Sequence, residues 1–272
     1  MSSSLPRRLI GLTAAMALSA SVAYAQSKTQ EWGAQLEGEQ PTARTPTPTQ
    51  ESGARPETAE PTRGVAKVIY KPPLRGAPAT RVGGGTRGTG AKALTLSVLA
   101  PNETGYTVQD KPTFYWYVSE ALDSPVEFTI TSAGKLQDAA LPLVEITLKP
   151  PLARGVHALR LDDHGVALNP GVEYQWFVAV VSNPAQRSSD VVAGGSIVRI
   201  ADSAIQAKLQ RASQATWPAV YAEAGIWYDA IDQLSRSISA RPADGELREQ
   251  RAALLEQVGL PEAAAFDRGL GR

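Results

Sequence analysis

Period-two alternation of apolar and polar residues dominates the middle of the chain. Leu94, Leu96 and Val98 alternate with polar neighbours up to Pro101, and Phe114, Trp116 and Val118 alternate with Thr113, Tyr115 and Tyr117. The pattern continues at Val126, Phe128 and Ile130, at Val144, Ile146 and Leu148, and at Leu159 and Leu161. Tyr174, Trp176, Val178 and Val180 form the clearest run, and Ile197 to Ile200 the last. Seven short segments bounded by Gly, Pro, Asn, Asp or Ser predict seven strands. With no amphipathic helix between them, they predict an antiparallel sandwich over residues 94–201. Trp116 and Trp176 sit mid-strand with apolar residues two positions away, which predicts both in the core between the sheets.

The turn Leu168-Asn169-Pro170-Gly171-Val172-Glu173-Tyr174 narrows the class. It looks like the corner before the sixth strand of immunoglobulin-like and fibronectin type III domains, where a Tyr hydroxyl ties back to upstream backbone. The predicted fold is therefore mainly β with α: a seven-stranded immunoglobulin/fibronectin-III-like antiparallel sandwich followed by a small C-terminal helical segment.

After Ala201 the period changes. Tyr221, Ala224, Tyr228, Ile231, Leu234 and Ile238 recur at three- or four-residue spacing, the signature of a helix with one buried face. Gly225 breaks that run, Arg241-Pro242-Ala243-Asp244-Gly245 closes it, and Glu246 to Val258 predicts another helix. Gly225-x-x-Tyr228-x-Ala230-x-x-x-Leu234 followed by Pro242 looks like the second helix of a tetratricopeptide repeat. Trp217-Pro218 interrupts the helix that should precede it, so residues 202–272 read as a helical tail packed on the sandwich rather than a solenoid.

Upstream of residue 94 neither period persists. Residues 1–25 have a basic pair, Arg7-Arg8, an apolar stretch from Leu9 to Ala20, and Ala23-Tyr24-Ala25 as a small-x-small cleavage site. They read as a signal peptide, with Gln26 opening the mature chain and export to the periplasm or cell surface of a bacterium. Residues 26–60 are an acidic, Thr/Pro-rich spacer with three basic and six acidic residues, read as disordered. Residues 61–93 are a basic Gly/Pro-rich arm, and from Pro61 to Thr95 there are seven Lys or Arg and no acid. Residues 96–272 carry 15 basic and 21 acidic groups. That opposition predicts an arm lying along the folded body, with Arg81 and Arg87 meeting carboxylates such as Asp229 or Asp232. Val68, Ile69 and Tyr70 would bury apolar area beside them.

Composition removes several chemistries. The chain of 272 residues has no Cys and two His, and its 27 basic residues balance 27 acidic ones. Disulfides, thiolate metal sites and Cys nucleophiles are excluded. The Gly83-Gly84-Gly85-Thr86-Arg87-Gly88 run lacks the Gly-Lys-Ser/Thr ending of a phosphate loop. It suits docking of the arm better than an anion site. No aromatic platform interleaves the basic residues, which disfavours nucleic acid. Asp162-Asp163-His164, with His157 upstream, could offer metal ligands but has ordinary turn composition. No Gly-x-Ser-x-Gly elbow occurs. No catalytic residue, cofactor or metal is predicted, and no segment after the signal is long and apolar enough to span a membrane.

Several pieces taken together resemble a bacterial family, number nine hundred and twenty-eight in the domain-of-unknown-function series, frequent in cyanobacteria and usually exported. They are Tyr70-Lys71-Pro72-Pro73, Arg75-Gly76-Ala77-Pro78, Val82 to Gly88, Pro112 to Val118, Tyr174-x-Trp176, Gly225 to Ala230, and Leu254-Leu255-x-x-Val258-Gly259-Leu260. The resemblance spans about residues 68–260 and implies export and the same two-part architecture, but no reaction.

The functional expectation is an exported, non-enzymatic binding or adaptor protein of the cell envelope, its partner another envelope protein or a cell-wall polymer. Arg75, Arg81, Arg87, Tyr115, Tyr117, Trp227 and Tyr228 are the candidate contact residues. A glycan or cell-wall binding module is the alternative and requires Tyr115, Tyr117 or Tyr106 at the surface. The helices or the arm are expected to cover the Tyr115/Tyr117 face instead, because large exposed apolar patches are unusual in monomers. A hydrolase would need a cleft that gathers carboxylates, and ranks third.

Overall fold

The computed structural model describes residues 68–73, 82–84, 94–133 and 142–270. Residues 1–67, with the expected signal peptide and acidic spacer, lie outside them.

Nine strands occur among the described residues: β1 (Val82–Gly84), β2 (Thr95–Val98), β3 (Gly105–Thr107), β4 (Thr113–Val118), β5 (Val126–Ser132), β6 (Val144–Leu148), β7 (Gly155–Arg160), β8 (Glu173–Val180) and β9 (Val191–Arg199). One sheet has the order β1-β2-β4-β7 and the other β3-β9-β8-β5-β6. Pairing is antiparallel except for the short β3, which runs parallel to β9. The alternating residues fill the space between the sheets. Phe114 on β4 lies 4.8 Å from the Trp176 ring and 5.3 Å from the Phe128 ring, so it bridges the two layers. Trp116 and Trp176 are both fully buried, as their position in the alternation requires.

All seven expected apolar runs fall in or beside strands, and two further strands accompany them. β1 comes from the basic arm and pairs with β2 through Val82–Ser97 and Gly84–Thr95. β3 is too short to show a period. Leu161 lies beyond β7 and opens a one-turn 3-10 helix, Leu161–His164.

Five helices follow: α1 (Ser203–Arg211), α2 (Trp217–Glu223), α3 (Trp227–Ala240), α4 (Gly245–Gln257) and α5 (Pro261–Leu270). Asp202 caps α1 by accepting from the Ala204 and Ile205 amides, and Asp244 caps α4 in the same way. Pro218 occupies the first turn of α2, where a missing N–H costs nothing. The helices are more than a small terminal segment, which corrects the sequence reading. Ile205, Tyr221, Trp227, Leu234, Leu254 and Ala264 belong to the same buried cluster as Phe114 and Trp176. α3 packs on β3 and β4, and α5 on β7. No helix among the described residues is long and apolar enough to cross a membrane.

Candidate functional site

β4 presents two faces, and both are closed. Phe114, Trp116 and Val118 are fully buried, while Tyr115 and Tyr117, on the opposite face, lie under the helices. The Tyr115 hydroxyl donates to Asp232 Oδ1 at 2.9 Å, and Arg236 Nε meets Asp232 Oδ2 at 2.8 Å. Burial, with the Asp232 charge beside it, holds the Tyr115 hydroxyl well above the usual phenol range. Tyr117 packs on the Phe266 ring of α5 at 5.3 Å. The aromatic row that a glycan reader would expose is therefore the seat of the helical layer, and only Tyr106 of the three candidates is partly open.

Trp227 and Tyr228 open α3 and anchor it in two directions. Trp227 Nε1 donates to the Leu99 carbonyl at 2.8 Å. The Tyr228 hydroxyl accepts from Trp176 Nε1 at 2.8 Å and donates to the Ser196 carbonyl at 3.0 Å, which places it inside the sandwich core. Both candidates are buried, so in this structure they hold the fold together and are not open to a partner.

The residues that follow on the same helix carry polar groups inward. Asp229 Oδ2 accepts from the Val108 amide at 3.2 Å, and Asp229 Oδ1 is buried without a hydrogen-bond partner. Burial raises the Asp229 carboxyl to about 6, opposed by the polar groups of Thr107, Val108 and Gln109 around it and reinforced by the Asp232 charge. The folded chain thus keeps a proton there that the unfolded chain releases near the ordinary value of 3.8. The sign follows from linkage: this group favours folding most below about pH 4, loses that contribution as pH rises to about 6, and changes little above. About two pH units correspond to roughly 3 kcal/mol. Asp229→Asn should match the unaltered chain at pH 4 and exceed it by about 2–3 kcal/mol at pH 7. Urea unfolding at both pH values checks this, and a pH-independent difference would refute it.

Farther along, Arg251 of α4 forms a buried pair with Asp267 of α5 through Nε–Oδ2 at 2.7 Å and Nη2–Oδ1 at 2.6 Å, and donates to Ser235 Oγ at 2.9 Å. Arg268 joins α5 to α4 at the surface through Glu249 and Glu256.

The accessible chemistry lies at the edge of this layer. A cavity of about 410 Å³ is bounded by Tyr117, Ser119, Arg154, Glu262, Phe266 and Leu270, among others. The Arg154 guanidinium sits 5.4 Å from the Phe266 ring centre, a cation–π arrangement at the surface. Aromatic floor, cation, carboxylate and exposed Leu270 suit non-covalent contact with a partner carrying apolar and charged groups.

The Domain of Unknown Function (DUF928) profile matches residues 82–266, more than half of the chain. The chain belongs to the DUF928 family. No curated protein matches this DUF928 chain significantly. Among solved structures, a multi-domain immunophilin from Arabidopsis thaliana is similar at 7% identity, with 74% of this chain and 98% of that one covered and a TM-score of 0.16. A likeness that low carries no argument about fold or function.

Arg75, Arg81 and Arg87 lie outside the described residues. The carboxylates proposed for the two later arginines have other partners, Asp229 with the Val108 amide and Asp232 with Tyr115 and Arg236. Of the arm's apolar trio, Val68 and Tyr70 are buried, but Ile69 is 46% exposed, which corrects the expectation that all three bury area. Asp162 pairs with Lys111 at 2.9 Å, and His157 Nε2 lies 2.7 Å from the Ala153 carbonyl. Among the described residues no three His, Asp or Glu groups gather to hold an ion. Arg154, Glu262 and Phe266 escaped sequence reasoning because Arg154 lies more than a hundred residues from the other two and the three share no motif.

Proposed function

We propose that this DUF928 protein is an exported, non-enzymatic binding or adaptor protein of the bacterial envelope, and that the Arg154/Phe266 cavity is its contact surface. The observation that carries the reading is that cation–π pair, with Arg154 exposed and Phe266 half-buried, beside an exposed Leu270. Arg251 with Asp267, Tyr115 with Asp232 and Tyr228 with the Ser196 carbonyl are already bonded inside the fold, which supports a scaffold role for the layer beneath. Export rests on the tripartite N-terminus, with Gln26 the first mature residue.

We also infer that the sandwich is fibronectin-III-like. Support comes from the three-and-four division of the seven strands other than β1 and β3, with β2-β4-β7 in one sheet and β9-β8-β5-β6 in the other. The Asn169 amide donates to the Tyr174 hydroxyl at 3.2 Å, the bond expected of the tyrosine corner.

A photo-reactive residue placed at Leu270 tests the contact surface in cells. Discrete adducts from Leu270, lost on Arg154→Glu and missing when the probe replaces exposed Glu145 on β6, are expected. Adducts cut by protease identify a protein partner, and adducts cut by a muramidase identify cell-wall polymer. Equal labelling from both positions, or a mature chain that retains Met1, would overturn the proposal.

A further inference from the structure

Residues 68–73 belong to neither sheet. They lie as an extended strand against the helices, with Val68 and Tyr70 buried and Ile69 and Lys71 exposed in alternation. The helices read this strand by its main chain. Gln257, at the end of α4, accepts from the Tyr70 amide through Oε1 at 2.9 Å and donates through Nε2 to the Val68 carbonyl at 2.9 Å. A side-chain amide thus does what a neighbouring strand would do. The Lys71 amide donates to the Ala222 carbonyl at the end of α2, at 3.1 Å.

Two further features shape the groove. The Tyr70 ring stands edge-on to Trp227 at 4.8 Å. Gly225 has φ +75°, and a Cβ there would lie 2.8 Å from the Lys71 carbonyl oxygen and 3.3 Å from Pro73 Cδ, so only glycine lets the strand lie this close. Pro72 and Pro73 restrict the strand to extended conformations and lower the entropy lost on docking. The fit also leaves something unmet, since the Tyr70 hydroxyl is buried without a hydrogen-bond partner. An unsatisfied buried hydroxyl weakens the docked state, which favours an exchangeable occupant over a permanent one.

We propose that this groove is a peptide-binding site for an extended apolar-x-Tyr-x-Pro-Pro strand, and that its partner in trans is the 68–73 segment of a second copy of the chain. That segment is already shown to fit. Charge complementarity draws copies together, since the seven basic residues of positions 61–95 face a body with 15 basic and 21 acidic groups. The eight residues from 74 to 81 can span at most roughly 30 Å, enough for the segment to leave one groove for a neighbouring one while β1 stays in its sheet. In dilute solution the tether gives the chain's own segment an effective concentration on the order of millimolar, so the monomer dominates until that segment is weakened or copies are crowded. The inference goes beyond the adaptor reading and depends on neither export nor the Arg154 cavity.

Cross-complementation tests it with full mature chains. Tyr70→Ala disables the segment and leaves the groove, and Gln257→Ala disables the groove and leaves the segment. Each alone should be monomeric by light scattering, and their equimolar mixture should form a one-to-one dimer. A synthetic peptide of residues 66–74 should dissociate that dimer. It should bind the Tyr70→Ala chain at least about tenfold more tightly than the unaltered chain, whose groove is filled, and lose binding when its own Tyr is replaced by Ala. Should Tyr70→Ala fail to fold, a protease site inserted between Ala77 and Pro78 of the unaltered chain gives the same answer. After cleavage, excess peptide should release the N-terminal fragment. No mixed dimer, even with peptide binding, overturns the second copy as partner. A peptide insensitive to loss of its Tyr, or a cleaved fragment that never exchanges, overturns the peptide site itself.

Discussion

Arg251→Met is expected to lower the unfolding free energy by about 3–5 kcal/mol, the usual result of removing one partner from a buried ion pair. Both Asp267 oxygens accept from this one guanidinium, and both side chains are almost wholly buried. Methionine fills similar volume, so the loss measures the stranded Asp267 charge and the vacated Ser235 hydroxyl more than a cavity. The double variant Arg251→Met/Asp267→Leu should recover most of it, because a buried pair's mutual attraction roughly offsets its desolvation. Urea unfolding of the four chains of this cycle gives the coupling energy directly. A single-variant loss under about 1 kcal/mol, or a double variant worse than the two singles combined, would show that the pair is not isolated from water as the geometry indicates.

That pair also illustrates what could and could not be read from the chain. The β period was legible because each run alternates across one pleated face, so Phe114 and Trp176 announce themselves as core. β9 was legible only from Ile197 onward, although it starts at Val191, because Gly194 and Gly195 interrupt the apolar pattern. Packing explains the interruption: a Cβ on Gly194 would lie 2.4 Å from the Phe177 ring, and one on Gly195 would lie 2.8 Å from Ala100 Cβ. Likewise, α4 hides its role because its buried face carries Arg251 among Leu247, Ala252, Leu254 and Leu255. A charge at a core position blurs a hydrophobic stripe, and its partner Asp267 lies on the next helix, where no local pattern points to it. Tyr115 and Tyr117 were ambiguous for the opposite reason. Aromatics on the second face of a strand signal either a ligand or a covering layer, and deciding between them takes the helices themselves. Gln257 gave no signal at all, since an amide that pairs with a strand some 187 residues upstream resembles any surface glutamine.

Tyr228→Phe should destabilise the whole folded body by about 2–4 kcal/mol, although it removes a single oxygen. That oxygen serves two buried groups at once, the Trp176 indole N–H and the Ser196 carbonyl, and neither has water to turn to. Tyr228→Ala adds a cavity beside Phe114 and Trp176 and should cost about 5 kcal/mol or more. The way the stability is lost matters as much as its size. If α1 to α5 were a tail merely resting on the sandwich, Tyr228→Ala would melt the helices early and leave the sheets nearly unchanged. Because Tyr228 lies in the sheet core and Trp227 bonds to Leu99, helices and sheets should instead unfold in one transition at a lowered midpoint. Far-ultraviolet dichroism at the helical minimum, followed beside near-ultraviolet signals from the buried indoles, distinguishes the two. Coincident curves are expected for the unaltered chain and for both variants, and a separate early helical transition would divide the body at residue 202 after all.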